Sequence, residues 1–365
     1  MSHVLDVLVG LIGLALVALA INDVFKAVVV PRSVDAHLRA SAFLGRRGWQ
    51  LWRDACLRIS DAEVREDRMA MFAPLLITSY LILWVSMLVF GYGLIFWALR
   101  AGIRPHPDFG SAIYFAATSL LTIGYGDFVP HGSLARTIAM ISATTGLGVV
   151  AIVATFLFQT FTAFQRREAF VVTVSERTGA PPSGPEFIAR HVKLGLTADI
   201  PVILREAQRW IAEVLETHLA YPVLLYFRSS HDDESWVGTL GALLDASTLL
   251  ITTADMDNRG QAELTLQAGS HLVHDFTTSF GLPMEDTTSV EYEEFAQAYR
   301  ELAALGCPMQ PLEDAWPRFS TKRATYAAAL DAMARWQRIP PARWIGDRSR
   351  VRSHVNAGVM QEPVA

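Results

Sequence analysis

The residues best suited to chemistry are Leu121-Thr122-Ile123-Gly124-Tyr125-Gly126-Asp127, and the chemistry is coordination of a cation by backbone oxygen. An ordinary strand points successive carbonyls to opposite sides. Glycine takes positive φ without steric cost, so Gly124 and Gly126 let alternate peptides turn and bring successive carbonyls to one side. A row of such carbonyls replaces the hydration shell of a bare ion. Thr122 adds its hydroxyl as the innermost ligand, while Ile123 and Tyr125 point away and pack behind the loop. Asp127 is placed to hydrogen-bond behind the loop and hold its width. A dehydrated cation needs more oxygen ligands than one such loop supplies, so several copies of the loop must meet on an axis.

The elements that must position this loop are visible on both sides of it. Gly110 to Leu121 reads as a short helix that Asp108 or Ser111 caps. Its C-terminal end aims partial negative charge at the space beside the loop, which favours a cation there. Met69 to Leu99 and Ile138 to Phe164 are apolar runs long enough to cross a bilayer. The first is longer than a membrane needs, so it tilts or projects. A second Gly-Tyr-Gly, after Phe90, has no Thr ahead and no Asp behind; it reads as a close-packing spot on a membrane helix.

Residues ~70 to 165, about a quarter of the chain, resemble the pore domain of the potassium-channel superfamily, of the bacterial two-transmembrane type with one pore loop. The order is outer helix, pore helix, T-I-G-Y-G-D filter and inner helix. The resemblance implies that Thr122, Ile123, Gly124, Tyr125 and Gly126 form the selectivity filter. It places K+ at Thr122, Ile123, Gly124 and Tyr125 as the transported ion, with no cofactor. Tyr114 and Thr118 fall where family members often place a Trp and a Glu behind the filter, so both join Asp127 as filter support. Leu121 falls where many have a second Thr.

Composition agrees with a membrane protein that carries a soluble part. The 365 residues are 52% hydrophobic, with the apolar residues concentrated before position 165. That part has 12 basic and 10 acidic residues; the remainder has 19 and 26, too acidic for a nucleic-acid binder. The two cysteines, Cys56 and Cys307, are far apart and form no disulfide framework or metal motif. Val4 to Ala20 and Val24 to Val30 together make a first span over residues 1–31. Ala18-Leu19-Ala20 resembles a signal-peptide cleavage site, but the start lacks the Lys/Arg-rich region such a peptide carries.

Residues 32–68 alternate arginines with apolar residues and acids. They read either as an interfacial amphipathic helix on the cytoplasmic side or as a connector packed on the soluble domain. This segment and Arg166-Arg167 flank membrane spans, so the positive-inside rule places both in the cytoplasm. The N-terminus is then outside and the pore loop enters from outside. The predicted location is the cell (inner) membrane, multi-pass. No span carries Arg at every third position, so a voltage sensor of that kind is excluded.

In the inner helix Gly146 and Gly148 are gating-hinge candidates, with tight packing beneath the pore helix as the competing reading. Phe156, Phe158 and Phe161 lie below them as candidates for an apolar constriction. A linker is expected over 166–184, a mainly helical cytoplasmic domain over 185–345 and a loose tail over 346–365. The domain lacks a G-x-G-x-x-G turn, and its ligand is not assigned. Asp255 to Gly260 fails as a calcium loop, because Leu266 stands where a bidentate acid is needed. His231-Asp232-Asp233-Glu234 and His271, His274 and Asp275 read better as solvated faces than as metal ligands.

The expectation is an all-α membrane protein: three transmembrane helices, a pore domain over 69–165 and a helical domain beyond it. The expected function is passive, potassium-selective transport through a homotetramer in the lipid bilayer, gated by the cytoplasmic domain and not enzymatic. A non-selective cation channel or a non-conducting signalling scaffold is the alternative.

Overall fold

The computed structural model describes residues 2–28, 40–229, 234–256, 259–284 and 290–339. Arg32 and Arg39, His231, Asp232 and Asp233, Asp257 and Asn258, and residues 346–365 lie outside the described residues. The chain divides into two units, Met1–Thr162 with Ala220–Phe227, and Ala163–Leu219 with Arg228–Ala365. The fold is all-α, and among the described residues three helices are long and apolar enough to cross a membrane.

In the first unit α1 (Ser2–Val28) runs unbroken through Asn22-Asp23 and packs along α4 (Phe72–Ala98). Close approach fixes the pair. A Cβ at Gly13 would stand 2.5 Å from the Gly91 carbonyl oxygen, and one at Gly91 2.7 Å from Val17 Cγ2. Two polar ties sit 17 residues apart on α1, about 25 Å at the helical rise. Asp6 and Arg100 form a two-point ion pair at 2.7 and 3.1 Å. Asp23 is buried, and its carboxylate accepts from Trp84 Nε1 at 2.8 Å and from the Ser41 hydroxyl at 3.0 Å. The first span therefore packs on its own chain.

The Arg-rich segment forms α2 (Ala40–Cys56) and α3 (Ala62–Ala70), joined by a Trp52 Nε1 bond to the Arg68 carbonyl at 2.9 Å. Trp49 is buried against Phe72 and Tyr226, with ring centroids 5.2 and 5.9 Å away. Tyr226 ends a short 3-10 helix, Pro222–Tyr226, that belongs to this same unit. The segment is thus a packed connector within the first unit, with Phe43 and Leu51 left on its outer side. The candidate site comprises α5 (Phe109–Leu120), the loop after it and the start of α6 (Ser133–Thr178). A two-stranded antiparallel ribbon, β1 (Ile103–Arg104) with β2 (Val129–Pro130), brackets helix and loop together.

The linker expected over 166–184 is a correction. Helix α6 continues to Thr178, and the turn is confined to residues 179–183, ahead of α7 (Gly184–Lys193). Between 166 and 178 no glycine or proline interrupts the helix; Gly179, at φ 81°, is the first residue that ends it.

The second unit is helical, as expected. Its members after α7 are α8 (Ile200–Ala220), α9 (Trp236–Thr252), α10 (Arg259–Phe280), α11 (Tyr292–Ala304), α12 (Leu312–Ala324) and α13 (Ala327–Gln337). Helix α9 is buried on every side and packs against α7, α10, α12 and α13. Its Asp245 carboxylate, fully buried, accepts from Arg323 Nε at 2.9 Å and from the Tyr326 hydroxyl at 2.6 Å. Burial, with the Asp245 charge beside it, pushes the Tyr326 hydroxyl well above its ordinary pKa, so it stays a donor.

Asp245→Ala would leave a buried guanidinium without that carboxylate. The expected loss is about 3–5 kcal/mol, read by chemical denaturation of the second unit. The double variant Asp245→Leu/Arg323→Met is expected to regain most of it, because a well-packed apolar pair avoids the desolvation of the charges.

Candidate functional site

The Asp108 carboxylate caps α5 by accepting from the Ser111 backbone N–H at 2.7 Å. That bond holds the carboxyl below the usual range. The last turn of α5 then feeds the loop. The Thr118 carbonyl accepts from Ile123 N at 2.8 Å and from Gly124 N at 3.3 Å. Two loop N–H groups thereby turn toward the helix. The backbone reverses hand at every second residue: φ is 56° at Thr122, 58° at Gly124 and 84° at Gly126. Left-handed residues that alternate with right-handed or extended ones undo the strand's alternation of carbonyls. The sequence singles out Gly124 and Gly126 for this; Thr122 does the same without being glycine.

Support behind the loop takes a different form from what side-chain types suggest. Thr118 is buried, and its hydroxyl bonds back to the Phe115 carbonyl at 3.1 Å, so Thr118 supports the loop through its main chain. The Asp127 charge acts on the Tyr114 hydroxyl, and the Tyr114 ring meets Phe128 edge-on at 6.2 Å. Ile123 and Tyr125 face away from their own chain, 48% and 71% exposed. An open cleft of about 460 Å³ adjoins Thr122 and Gly124 and is lined also by Arg136, Ala139 and Met140.

The inner-helix glycines separate. A Cβ at Gly146 would overlap the Leu120 carbonyl oxygen, so close packing of α6 under the end of α5 accounts for this glycine. Nothing lies within 4 Å of the corresponding position at Gly148, and α6 is one continuous helix through both. One residue before Gly146, the Thr145 hydroxyl bonds the Tyr92 hydroxyl at 2.8 Å. Tyr92 belongs to the second Gly-Tyr-Gly, whose flanking glycines are indeed packing positions: Gly91 against α1, and Gly93 against Ile113 of α5. Of the three phenylalanines, Phe156 packs on Tyr221 at 5.8 Å and Phe161 on Phe227 at 5.9 Å, while Phe158 is exposed.

Outside the pore region the polar clusters stay apart from any site. His271 pairs with Asp275 at 3.4 Å on an exposed face, and His274 lies 2.7 Å from the Ser270 carbonyl. Asp255 meets Arg259. Among the described residues no group of His, Cys, Asp and Glu could hold a metal ion.

Residues 81–163 match the family described as ion channel. The chain is also 24% identical over 204 residues to an uncharacterized membrane protein, YdjJ, of Bacillus subtilis (strain 168). The match covers 54% of this chain and 58% of that relative's length. No solved structure matches. The loop after α5, α5 itself and the start of α6 lie inside that matched segment, and among the described residues three helices are long and apolar enough to cross a membrane.

Gly146→Ala is expected to cost about 1–3 kcal/mol of stability by overpacking against Leu120. Gly148→Ala is expected to be neutral or slightly stabilising, since alanine is the better helix former. Thermal unfolding of the detergent-solubilised variants checks the pair.

Proposed function

We propose that the protein is a potassium-selective channel through which K+ passes passively down its gradient. The observation that carries this reading is the alternation of left-handed residues at Thr122, Gly124 and Gly126 inside T-I-G-Y-G. The carbonyls of Thr122, Ile123, Gly124 and Tyr125 stand in for water around the ion, and repulsion between neighbouring ions lets each one leave. Asp127 and Tyr114 hold the loop's width.

The functional unit is a homotetramer. One loop offers too few oxygens, and exposed Ile123 and Tyr125 beside the open cleft fit a second copy better than water. The N-terminus lies outside and the second unit in the cytoplasm of a multi-pass protein of the cell membrane. Gating by the second unit acts through α6, which carries residues of both units.

Purified protein in liposomes is expected to pass potassium in strong preference to sodium, with block by barium. Gly126→Ser, at φ 84°, is expected to abolish that flux while the protein stays folded. Equal flux of the two ions would overturn selectivity, and unchanged flux in Gly126→Ser would overturn the filter assignment.

A further inference from the structure

Residues 163–178 of α6 belong to the second unit, and two arginines on this stretch meet buried histidines in the same way. Arg167 Nη1 lies 3.2 Å from Nε2 of His218 on α8. Arg177 Nη1 lies 3.1 Å from Nε2 of His191 on α7. In each ring Nδ1 approaches the carbonyl four residues earlier, Val214 at 2.8 Å and Phe187 at 2.7 Å. A carbonyl only accepts, so Nδ1 carries the proton; a guanidinium only donates, so Nε2 must offer its lone pair. Both contacts therefore exist only with neutral imidazole. A proton on Nε2 would replace the acceptor by a donor and set two cations about 3 Å apart, where low dielectric makes repulsion strong.

The surroundings reinforce this. His218 and His191 are both buried. His218 packs against the rings of Trp236 and Phe276, each centroid 5.3 Å away, with the Thr217 hydroxyl near Nδ1. The charge acting on it is that of Arg167, whose Nε bonds the Glu168 carboxylate at 2.9 Å. His191 packs on the Phe187 ring at 4.4 Å and faces Arg177, with the Asp199 charge acting in favour of the imidazolium. Burial, then Arg167, holds His218 well below the ordinary histidine value. Burial holds His191 below it too, with Arg177 acting in the same direction.

We propose that these two arginine–imidazole bonds form a proton-sensitive latch that fixes the end of α6 to α7 and α8 and releases it on acidification. A histidine held below its ordinary value binds its proton more weakly when latched than when released. The latch is thus complete above about pH 6.5 and weakens as pH falls below that value. At pH 5.5 the ratio of released to latched states rises by up to about tenfold for each ring. The consequence for conduction rests on the channel reading, since α6 also runs beneath the end of α5 beside the loop; the latch itself does not.

The test is hydrogen exchange by mass spectrometry on the full chain in lipid nanodiscs, at about pH 7.5 and about pH 5.5, corrected for the intrinsic pH dependence of exchange. The expected result is a loss of protection of about tenfold in α7 and α8 and in residues 163–178. The segment from α11 to α13, which contains Arg323 and Tyr326, keeps its protection. His191→Gln offers Arg177 a neutral acceptor that cannot titrate, and is expected to remove the acid loss in α7 alone. His218→Gln does the same for α8. Equal protection at both pH values overturns the proposal, as does a loss spread evenly over the unit or an undiminished acid loss in His191→Gln. The readout needs no ion flux, so a failed latch and a failed channel reading are told apart.

Discussion

Peptide carbonyls in a chain cannot be aimed independently. To bring several in a row to one side, the backbone must reverse hand at every second residue, and for any residue but glycine the left-handed state costs about 1–2 kcal/mol. Thr122, Gly124 and Gly126 carry that reversal, and only Thr122 carries it against a side chain. What offsets the strain at Thr122 lies beside it. The Thr118 carbonyl holds the next two N–H groups, so the base of the loop is fastened to the end of α5 by main-chain bonds. At the exit, the β1–β2 pair closes the loop against the segment that entered α5, with His131 N bonded to the Gly102 carbonyl at 2.7 Å. The conformation is therefore set at its two ends.

The position of α5 depends in turn on helix contacts that have little hydrophobic driving force in lipid and rely on close packing. Missing Cβ atoms mark those contacts. Gly13 and Gly91 bring α1 onto α4, Gly93 brings α4 onto Ile113 of α5, and Gly146 brings α6 under Leu120. Each contact would open by the width of a methyl group if alanine replaced the glycine. The buried Asp23, bonded by Trp84 and Ser41, keeps α1, α2 and α4 in register near one end, and the Asp6–Arg100 pair does so near the other.

Much of this was legible in the sequence where backbone chemistry dictates residue type. Two glycines with one residue between them, a preceding threonine and a short capped helix leave few other readings, and Asp108 does cap α5. The second Gly-Tyr-Gly could be set aside as packing for the same reason. Legibility failed where a residue type serves two ends. Glycine in a helix permits both bending and close approach, and only the Leu120 carbonyl tells them apart at Gly146. Thr118 was read by its side chain, yet its carbonyl is what touches the loop. A polar run after an apolar span suggests a linker, but polar residues propagate a helix as well as apolar ones, and α6 continues to Thr178. Pairings such as Arg167 with His218 or Asp245 with Arg323 join residues 51 and 78 positions apart, and nothing local encodes them.

The middle of the loop is where a single chain falls short. Nothing of its own chain lies within 4 Å of the Cβ positions at Gly124 and Gly126, and the two large side chains between and before them stand out from the chain. Fastening at the ends fixes handedness but not width, and width decides which ion's hydration the carbonyls match. On the proposed reading, width is a property of the assembly. Ile123 and Tyr125 of each copy become spacers once neighbouring copies cover them, and burial of Tyr125 then contributes both apolar area and a hydroxyl that needs a partner. Filter geometry and subunit association would in that case be one equilibrium. Anything that loosens the contacts behind Tyr125 would loosen selectivity before it unfolds α5, because the bonds from Thr118 and the β1–β2 pair do not depend on a neighbour.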